Sequence, residues 1–175
     1  MTKTKNEMKE PEIEKVTVNI GVGSSGEDLI NAENLLDEIT GQEPVRTRSK
    51  QNNPTFEIKE GEPIGCKVTL RGKKAVEFLE KALEVIGNEI PEKSIDEYGN
   101  FAFGIEEHTN FPEMEYDPSV GIFGMDISVT MERPGYRVKK RSVEQKKIPE
   151  EHTLDPEDTI KYLKEQFETE VTQNE

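Results

Sequence analysis

The chain has 175 residues, 31% hydrophobic and 34% charged, with 37 acidic against 23 basic side chains, a net charge of -14 and a pI near 4.7. That length suits one domain with a core that needs no staples, which excludes a collagen, a disulfide scaffold and a long repeat array. One cysteine, Cys66, cannot form an internal disulfide or, with two histidines, a Cys/His zinc site; no stretch reaches the roughly 18 apolar residues of a membrane span, and Met1 to Glu14 lacks the apolar centre of a signal peptide.

The low hydrophobicity approaches that of disordered chains, but the apolar residues are periodic, which predicts a globular fold. Residues 1–10 read as a flexible N-terminal arm, and 11–175 as a single domain. From Ile13 to Ile20, Val16, Val18 and Ile20 alternate with Lys15, Thr17 and Asn19, predicting a half-buried strand. Gly21 to Gly26 breaks it. Glu27 to Thr40 carries Leu29, Ile30, Leu35, Leu36 and Ile39 at helical spacing, with Glu27 and Asp28 at the dipole's positive end and Gly41 as a stop. Pro44 to Ser49 begins an extended segment, and Ser49 to Pro54 reads as a mobile polar loop.

Thr55 to Ile58 and Gly65 to Arg71 read as strands around a turn at Glu60 to Pro63. In the second, Cys66, Val68 and Leu70 share one face, while Lys67, Thr69 and Arg71 share the other. Lys73 to Ile86 is a helix with an apolar stripe from Ala75 to Ile86 and Gly87 near its end. Phe101, Phe103 and Ile105 alternate, as do Ile127 and Val129 within Ile122 to Met131, which completes a sheet. An acidic tail after Pro149 spaces Leu154, Ile160, Leu163 and Phe167 for a docking helix begun near Asp155-Pro156. The sum is an α+β fold, a mostly antiparallel sheet with helices packed on one face.

The charges are segregated. Arg46 to Lys50, Lys67 to Lys74 and Arg133 to Lys147 together span 28 residues, hold 14 of the 23 basic side chains, contain a single acid, Glu144, and so carry +13. The other 147 residues carry -27. Cations collected against a background that repels polyanions point to a polyanion site. The acidic remainder fits a cytoplasmic protein of a very salty cell, where screening lengths fall to about 3 Å and global repulsion fades.

Gly21-Val22-Gly23-Ser24-Ser25-Gly26 fits the G-x-G-x-x-G fingerprint between a strand and a helix. A nucleotide-binding enzyme is therefore the alternative reading. Against it, the next strand approaches Arg46 and Arg48 where a ribose-binding acid belongs, and repeated βαβ units are missing. Glu106-Glu107-His108 reads as a surface cluster, since adjacent residues of an extended segment face opposite ways. Cys66, on the apolar side of its strand, reads as a small core residue, and Phe78, Phe101 and Phe103 as core aromatics. No hydrolase triad, metalloprotease motif or P-loop lysine supports catalysis. A third class, a protein-only adaptor, would use the acidic tail from Glu150 to Glu175.

Several blocks run in one order from about Glu12 to Arg141. They are Val18-Asn19-Ile20-Gly21-Val22-Gly23, Gly41-Gln42 with Pro44-Val45, and Pro63-Ile64-Gly65-Cys66-Lys67-Val68-Thr69-Leu70-Arg71-Gly72. Next come Gly99-Asn100-Phe101 with Phe103-Gly104-Ile105, Glu107-His108, Phe111-Pro112-Glu113 and Gly121-Ile122-Phe123-Gly124-Met125-Asp126. In these blocks the chain resembles the universal large-subunit ribosomal protein family numbered five, which binds 5S rRNA. Arg133-Pro134-Gly135-Tyr136-Arg137-Val138 is similar to its archaeal and eukaryotic branch, and the acidic background to a salt-adapted, halophilic archaeal member.

The resemblance implies a non-enzymatic RNA-binding protein, ribosome-bound in the cytoplasm, joining 5S rRNA to large-subunit rRNA in the central protuberance beside a neighbouring 5S-binding ribosomal protein. It places RNA contacts on Asn19, Gln42, Thr69 and Arg71, side chains that can bond phosphates, 2′-hydroxyls and base edges. The basic segments add Lys67 and Lys73, and Arg133, Arg137, Lys139, Lys140 and Arg141 as a clamp on large-subunit rRNA. The family also extends the loop after Arg46 toward the elbow of peptidyl-site tRNA. Here that places Arg46, Arg48, Lys50, Gln51, Asn52 and Asn53 near the tRNA, with a tip less basic and less aromatic than in many relatives. No cofactor, metal or membrane contact is expected.

Overall fold

A computed structural model describes residues 6–112, 114 and 116–172. Its strands in chain order are β1 (Glu12–Gly21), β2 (Val45–Arg48), β3 (Pro63–Leu70), β4 (Glu89–Pro91), β5 (Phe101–Ile105), β6 (Met125–Glu132) and β7 (Glu170–Thr172). The helices are α1 (Glu27–Thr40), α2 (Lys73–Val85), the short α3 (Arg137–Lys140) and α4 (Pro156–Phe167).

The period-two patterns decide the sheet. Val16, Val18 and Ile20 of β1, Cys66, Val68 and Leu70 of β3, and Met125, Ile127, Val129 and Met131 of β6 are all buried, with polar neighbours between them. The five-stranded sheet runs β2-β3-β1-β6-β5 and is antiparallel throughout. One face can therefore be apolar along all its central strands while the other stays polar. Helix α1 packs on β3 and α2 on β1, burying Leu29, Ala32, Leu35 and Leu36 of the first and Ala75, Phe78, Leu79, Ala82 and Leu83 of the second. At the β2–β3–β1 junction a Cβ on Gly65 would lie 2.6 Å from the Ile20 carbonyl oxygen and 2.9 Å from Thr47 Oγ1, so only glycine lets the three strands meet there.

The helix ends are closed by their own sequence. The Gly41 N–H donates to the Asp37 carbonyl at 2.7 Å, and Lys74 Nζ donates to the Gly41 carbonyl at 2.9 Å, a cation at the negative end of α1. After α2, the N–H of Asn88 reaches the Leu83 carbonyl at 2.9 Å while Gly87 reaches that of Glu84 at 3.0 Å, a Schellman closure.

Helix α4 begins at Asp155-Pro156 with proline in its first turn, as the sequence predicts, and buries Leu163. Leu154 is fully buried just ahead of it. The tail then returns to the body: β7 pairs in parallel with β4, matching Glu89 to Glu170 and Pro91 to Thr172. Three-residue strands carry no usable periodicity, which is why this second small sheet is invisible in the sequence.

Thr55 to Ile58 is not a strand. Asn53 Oδ1 accepts from the Thr55 N–H at 3.2 Å, Pro54 opens a 3-10 turn over Pro54–Phe56, and Glu57 adopts a left-handed φ of 56°, so Asn-Pro turn chemistry overrides strand propensity. His108 does not belong to a surface cluster, since it is 2% exposed. Its backbone N–H donates to the Phe123 carbonyl at 3.0 Å, and its Nδ1 accepts from the Phe123 N–H at 3.2 Å, a satisfied core histidine. Of the expected N-terminal arm, residues 1–5 lie outside the described residues, and Glu7–Lys9 form a 3-10 turn capped by Asn6.

Candidate nucleic-acid interface

The face of the sheet away from α1 and α2 carries the residues the sequence singles out. Asn19 lies opposite Lys67 on β3 and Asp126 on β6, and Thr17 lies opposite Thr69 and Ser128. Asn19 and Thr69 therefore share one face, as alternation predicts, both half-buried, with Lys67 exposed beside them. Val45 of β2, opposite Lys67, adds an apolar side chain that is 63% exposed. Gln42 comes from the α1–β2 connection, and its Nε2 donates to the Thr69 carbonyl at 3.0 Å, so a side-chain amide extends the β2–β3 ladder past the end of β2. Gln42 and Thr69 are thus fixed side by side.

Arg71 follows β3 and is joined to a residue that sequence reasoning missed. Glu14 Oε1 accepts from Arg71 Nη1 at 3.2 Å and pairs with Lys140 Nζ at 2.8 Å, while Lys140 also pairs with Glu132 at 2.7 Å. Burial works to raise the Glu14 pKa, but hydrogen bonds from Lys140 and Arg71 outweigh it and hold the carboxyl below its ordinary value. Glu14 sits at a bulge between Ile13 and Lys15. The sequence signal was the three-residue step from Ile13 to Val16, which breaks period two. This carboxylate ties the Lys67–Lys74 segment to the Arg133–Lys147 segment, so two of the three basic stretches form one surface.

The two main helices offer opposite N-termini. Helix α1 opens with Glu27 and Asp28, whereas α2 has no acid in its first turn and opens with Lys73 and Lys74 after Gly72, which provides no side-chain cap. Like charge at the positive end of a dipole is unfavourable unless an anion joins it. The glycine-rich loop before α1 is the reverse case. Its Val22 and Gly23 N–H groups both donate to the Ile64 carbonyl, at 3.1 and 2.8 Å, and Ser25 is bonded to Glu62. With acids on the helix and an antiparallel sheet below, it is a structural turn and not a pyrophosphate cradle. Cys66 is equally inert: burial first, and the charge of Glu33 second, push its thiol up to about 11.

The cations of the third segment divide in two. Arg133 is 8% exposed, donates from Nη1 to the Thr153 carbonyl at 3.0 Å and pairs with Asp158 at 2.5 Å, so its guanidinium holds the tail and does not face outward. Tyr136 assists, its hydroxyl accepting from the Leu154 N–H at 2.9 Å and donating to the His152 carbonyl at 3.3 Å. Beyond this anchor the chain turns back on itself. Arg141 donates from Nε and Nη2 to the Glu144 carbonyl at 3.0 and 2.8 Å, and Gln145 Nε2 donates to that of Lys139 at 2.6 Å. Arg137 and Lys139 are exposed and, among the described residues, have no carboxylate partner.

The remaining basic stretch lies at the β2 end. Arg46 is opposite Cys66, on the helix side of the sheet, and makes a two-pronged pair with Glu33 of α1, which leaves it 51% exposed. The hairpin beyond it presents Arg48, Lys50, Gln51, Asn52 and Asn53, all exposed. Asn53 is braced by mutual backbone bonds with Ile58 at 2.8 and 3.0 Å. Phe56, which sequence reasoning placed in a strand, stands 70% exposed at this tip.

Residues 6–59 match the family described as "Ribosomal protein L5", and residues 63–162 match the C-terminus of the same ribosomal family. The chain belongs to the ribosomal protein L5 family. The "Large ribosomal subunit protein uL5" of Methanococcoides burtonii is 52% identical over 166 residues, 95% of this chain and 98% of that protein. The uL5 of Methanoregula boonei is 50% identical over 164 residues, 94% and 99% of the two chains. As an L5-family member the protein is structural and not an enzyme.

Proposed function

We propose that this protein is a structural constituent of the large ribosomal subunit, ribosome-bound in the cytoplasm, whose polar sheet face grips 5S rRNA and links it to large-subunit rRNA in the central protuberance. The carrying observation is that Asn19, Lys67 and Thr69, with Gln42 beside them, occupy one sheet face, and that Glu14 joins their strand to the Arg137–Arg141 cations. Amides and hydroxyls suit 2′-hydroxyls and base edges, while guanidinium and ammonium groups suit phosphates. Arg137, Lys139, Lys140 and Arg141 form the clamp on large-subunit rRNA. The hairpin from Arg46 to Phe56 reaches toward peptidyl-site tRNA, and a neighbouring 5S-binding ribosomal protein completes the contact.

Against a background of -27, affinity cannot come from long-range attraction alone, and counterion release yields little near molar salt. Binding leans on hydrogen bonds and shape and persists in high KCl. Filter binding with purified 5S rRNA tests the reading. Saturable binding that Asn19→Ala and Arg71→Ala weaken supports it, and equal affinity for an unrelated folded RNA overturns it.

A further inference from the structure

Next to the Glu14 network lies an open groove of about 580 Å³, lined in part by Tyr98, Asn100, Thr130, Lys139, Lys140 and Lys147. That volume lies within the range of clefts that take a small organic ligand. We propose that this groove receives a single unstacked nucleotide of the bound rRNA, its base laid on the Tyr98 ring and its phosphate held by Lys139 and Lys147. The inference rests on the rRNA-binding reading above and adds a defined pocket to it.

Three observations carry it. First, Tyr98 is 60% exposed and stands on a hydrogen-bonded turn. Asp96 Oδ1 accepts from the N–H groups of both Tyr98 and Asn100 at 2.8 Å, and Asp96 Oδ2 accepts from Asn100 Nδ2 at 2.8 Å. Gly99 completes the turn at a φ of +74°, where a Cβ would fall 2.4 Å from Thr159 Oγ1. A turn whose polar groups are satisfied fixes the backbone that carries this exposed ring, so the loop needs little ordering before a base stacks on it.

Second, the charges fit an anion. Lys139 and Lys147 are exposed and, among the described residues, neither is paired with a carboxylate. The one acid on the wall, Glu14, is already engaged by Arg71 and Lys140. In a chain of net charge -14 such a cationic wall is exceptional, and it favours a phosphate over an acidic or neutral side of the molecule.

Third, the groove is continuous with the proposed interface. Thr130 belongs to the same polar sheet face as Ser128 and Thr17, and Lys140 is bound to the carboxylate that also holds Arg71. An RNA strand lying on that face has only to turn out one nucleotide to fill the groove.

Nucleotide-resolution chemical probing of 5S rRNA and of large-subunit rRNA, each bound to the full chain, tests this. Tyr98→Ala should expose one or two unpaired nucleotides while the rest of the footprint stays, with affinity falling about tenfold. Tyr98→Phe should keep the protection, and the pair Lys139→Gln with Lys147→Gln should lose it at the same nucleotides. Circular dichroism checks that the variants fold. An unchanged footprint and affinity for Tyr98→Ala, with wild type binding normally, overturns the groove and leaves the interface standing. Absence of any wild-type footprint on either RNA overturns the interface, and the groove with it.

Discussion

Arg71 and Lys140, from two separate basic segments of the chain, bind the same oxygen, Glu14 Oε1, at 3.2 and 2.8 Å. The acid is 11% exposed while Arg71 remains 60% exposed, so the carboxylate sits beneath the two cations and leaves Arg71 facing solvent. In an acidic protein that binds a polyanion, one negative charge here does what many others oppose: it orients positive groups outward.

The first prediction concerns pH. The folded Glu14 carboxyl is harder to protonate than the unfolded one, whose ordinary value is 4.5. Its contribution is thus complete above that value and is lost as pH falls through the lowered folded value. Glu14→Gln should cost about 1 kcal/mol in urea unfolding at pH 7, as fits a partly solvated pair. The gap to wild type should close on acidification. A gap that widens toward acid would contradict the network.

Arg133 gives the second prediction. Arg133→Met removes a guanidinium that bonds Thr153 and Asp158, and Asp158 is 28% exposed and can recover water. The expected loss is about 2 kcal/mol, below the full penalty for breaking a buried pair. Stability should fall, and RNA affinity of the folded protein should hold. A variant of unchanged stability and weakened RNA binding would return Arg133 to the outer surface.

Gly65 supplies the third. Gly65→Ala drives a Cβ against the backbone oxygen of Ile20, which has no rotamer to escape into. We expect a cost of about 3 kcal/mol, near the upper end of overpacking penalties, and a Tm lower by roughly 6–12 °C. Calorimetry reads this directly. A neutral effect would mean that β2 and β1 are not held this close to β3.

Much of the architecture was legible because the patterns are long. Glu27–Thr40 appears as a helix with the bounds the sequence predicts, and the alternation of Val16, Val18 and Ile20 places Asn19 on the polar face. Short or side-chain-dependent features were not legible. Thr55 to Ile58 lost its strand to an Asn-Pro turn, and His108 was drawn inward by Phe123, a partner 15 residues away. Arg133 shows the same limit at the interface: charge alone does not distinguish a cation that meets RNA from one that meets Asp158. Tyr98 carries no sequence signal of its own, because its exposure depends on a turn fixed by Asp96 and by the approach of Gly99 to Thr159 of α4.

Ultraviolet crosslinking of the full chain to 5S rRNA and to large-subunit rRNA, with the adduct-bearing peptides identified by mass spectrometry, tests the central claim most directly. Adducts should fall on β1 around Asn19, on the segment from Lys67 to Lys73 and on the segment from Arg137 to Lys147, with the outer face of α1 clear. Adducts concentrated on α1 or on the acidic tail, with those three segments empty, would contradict the account.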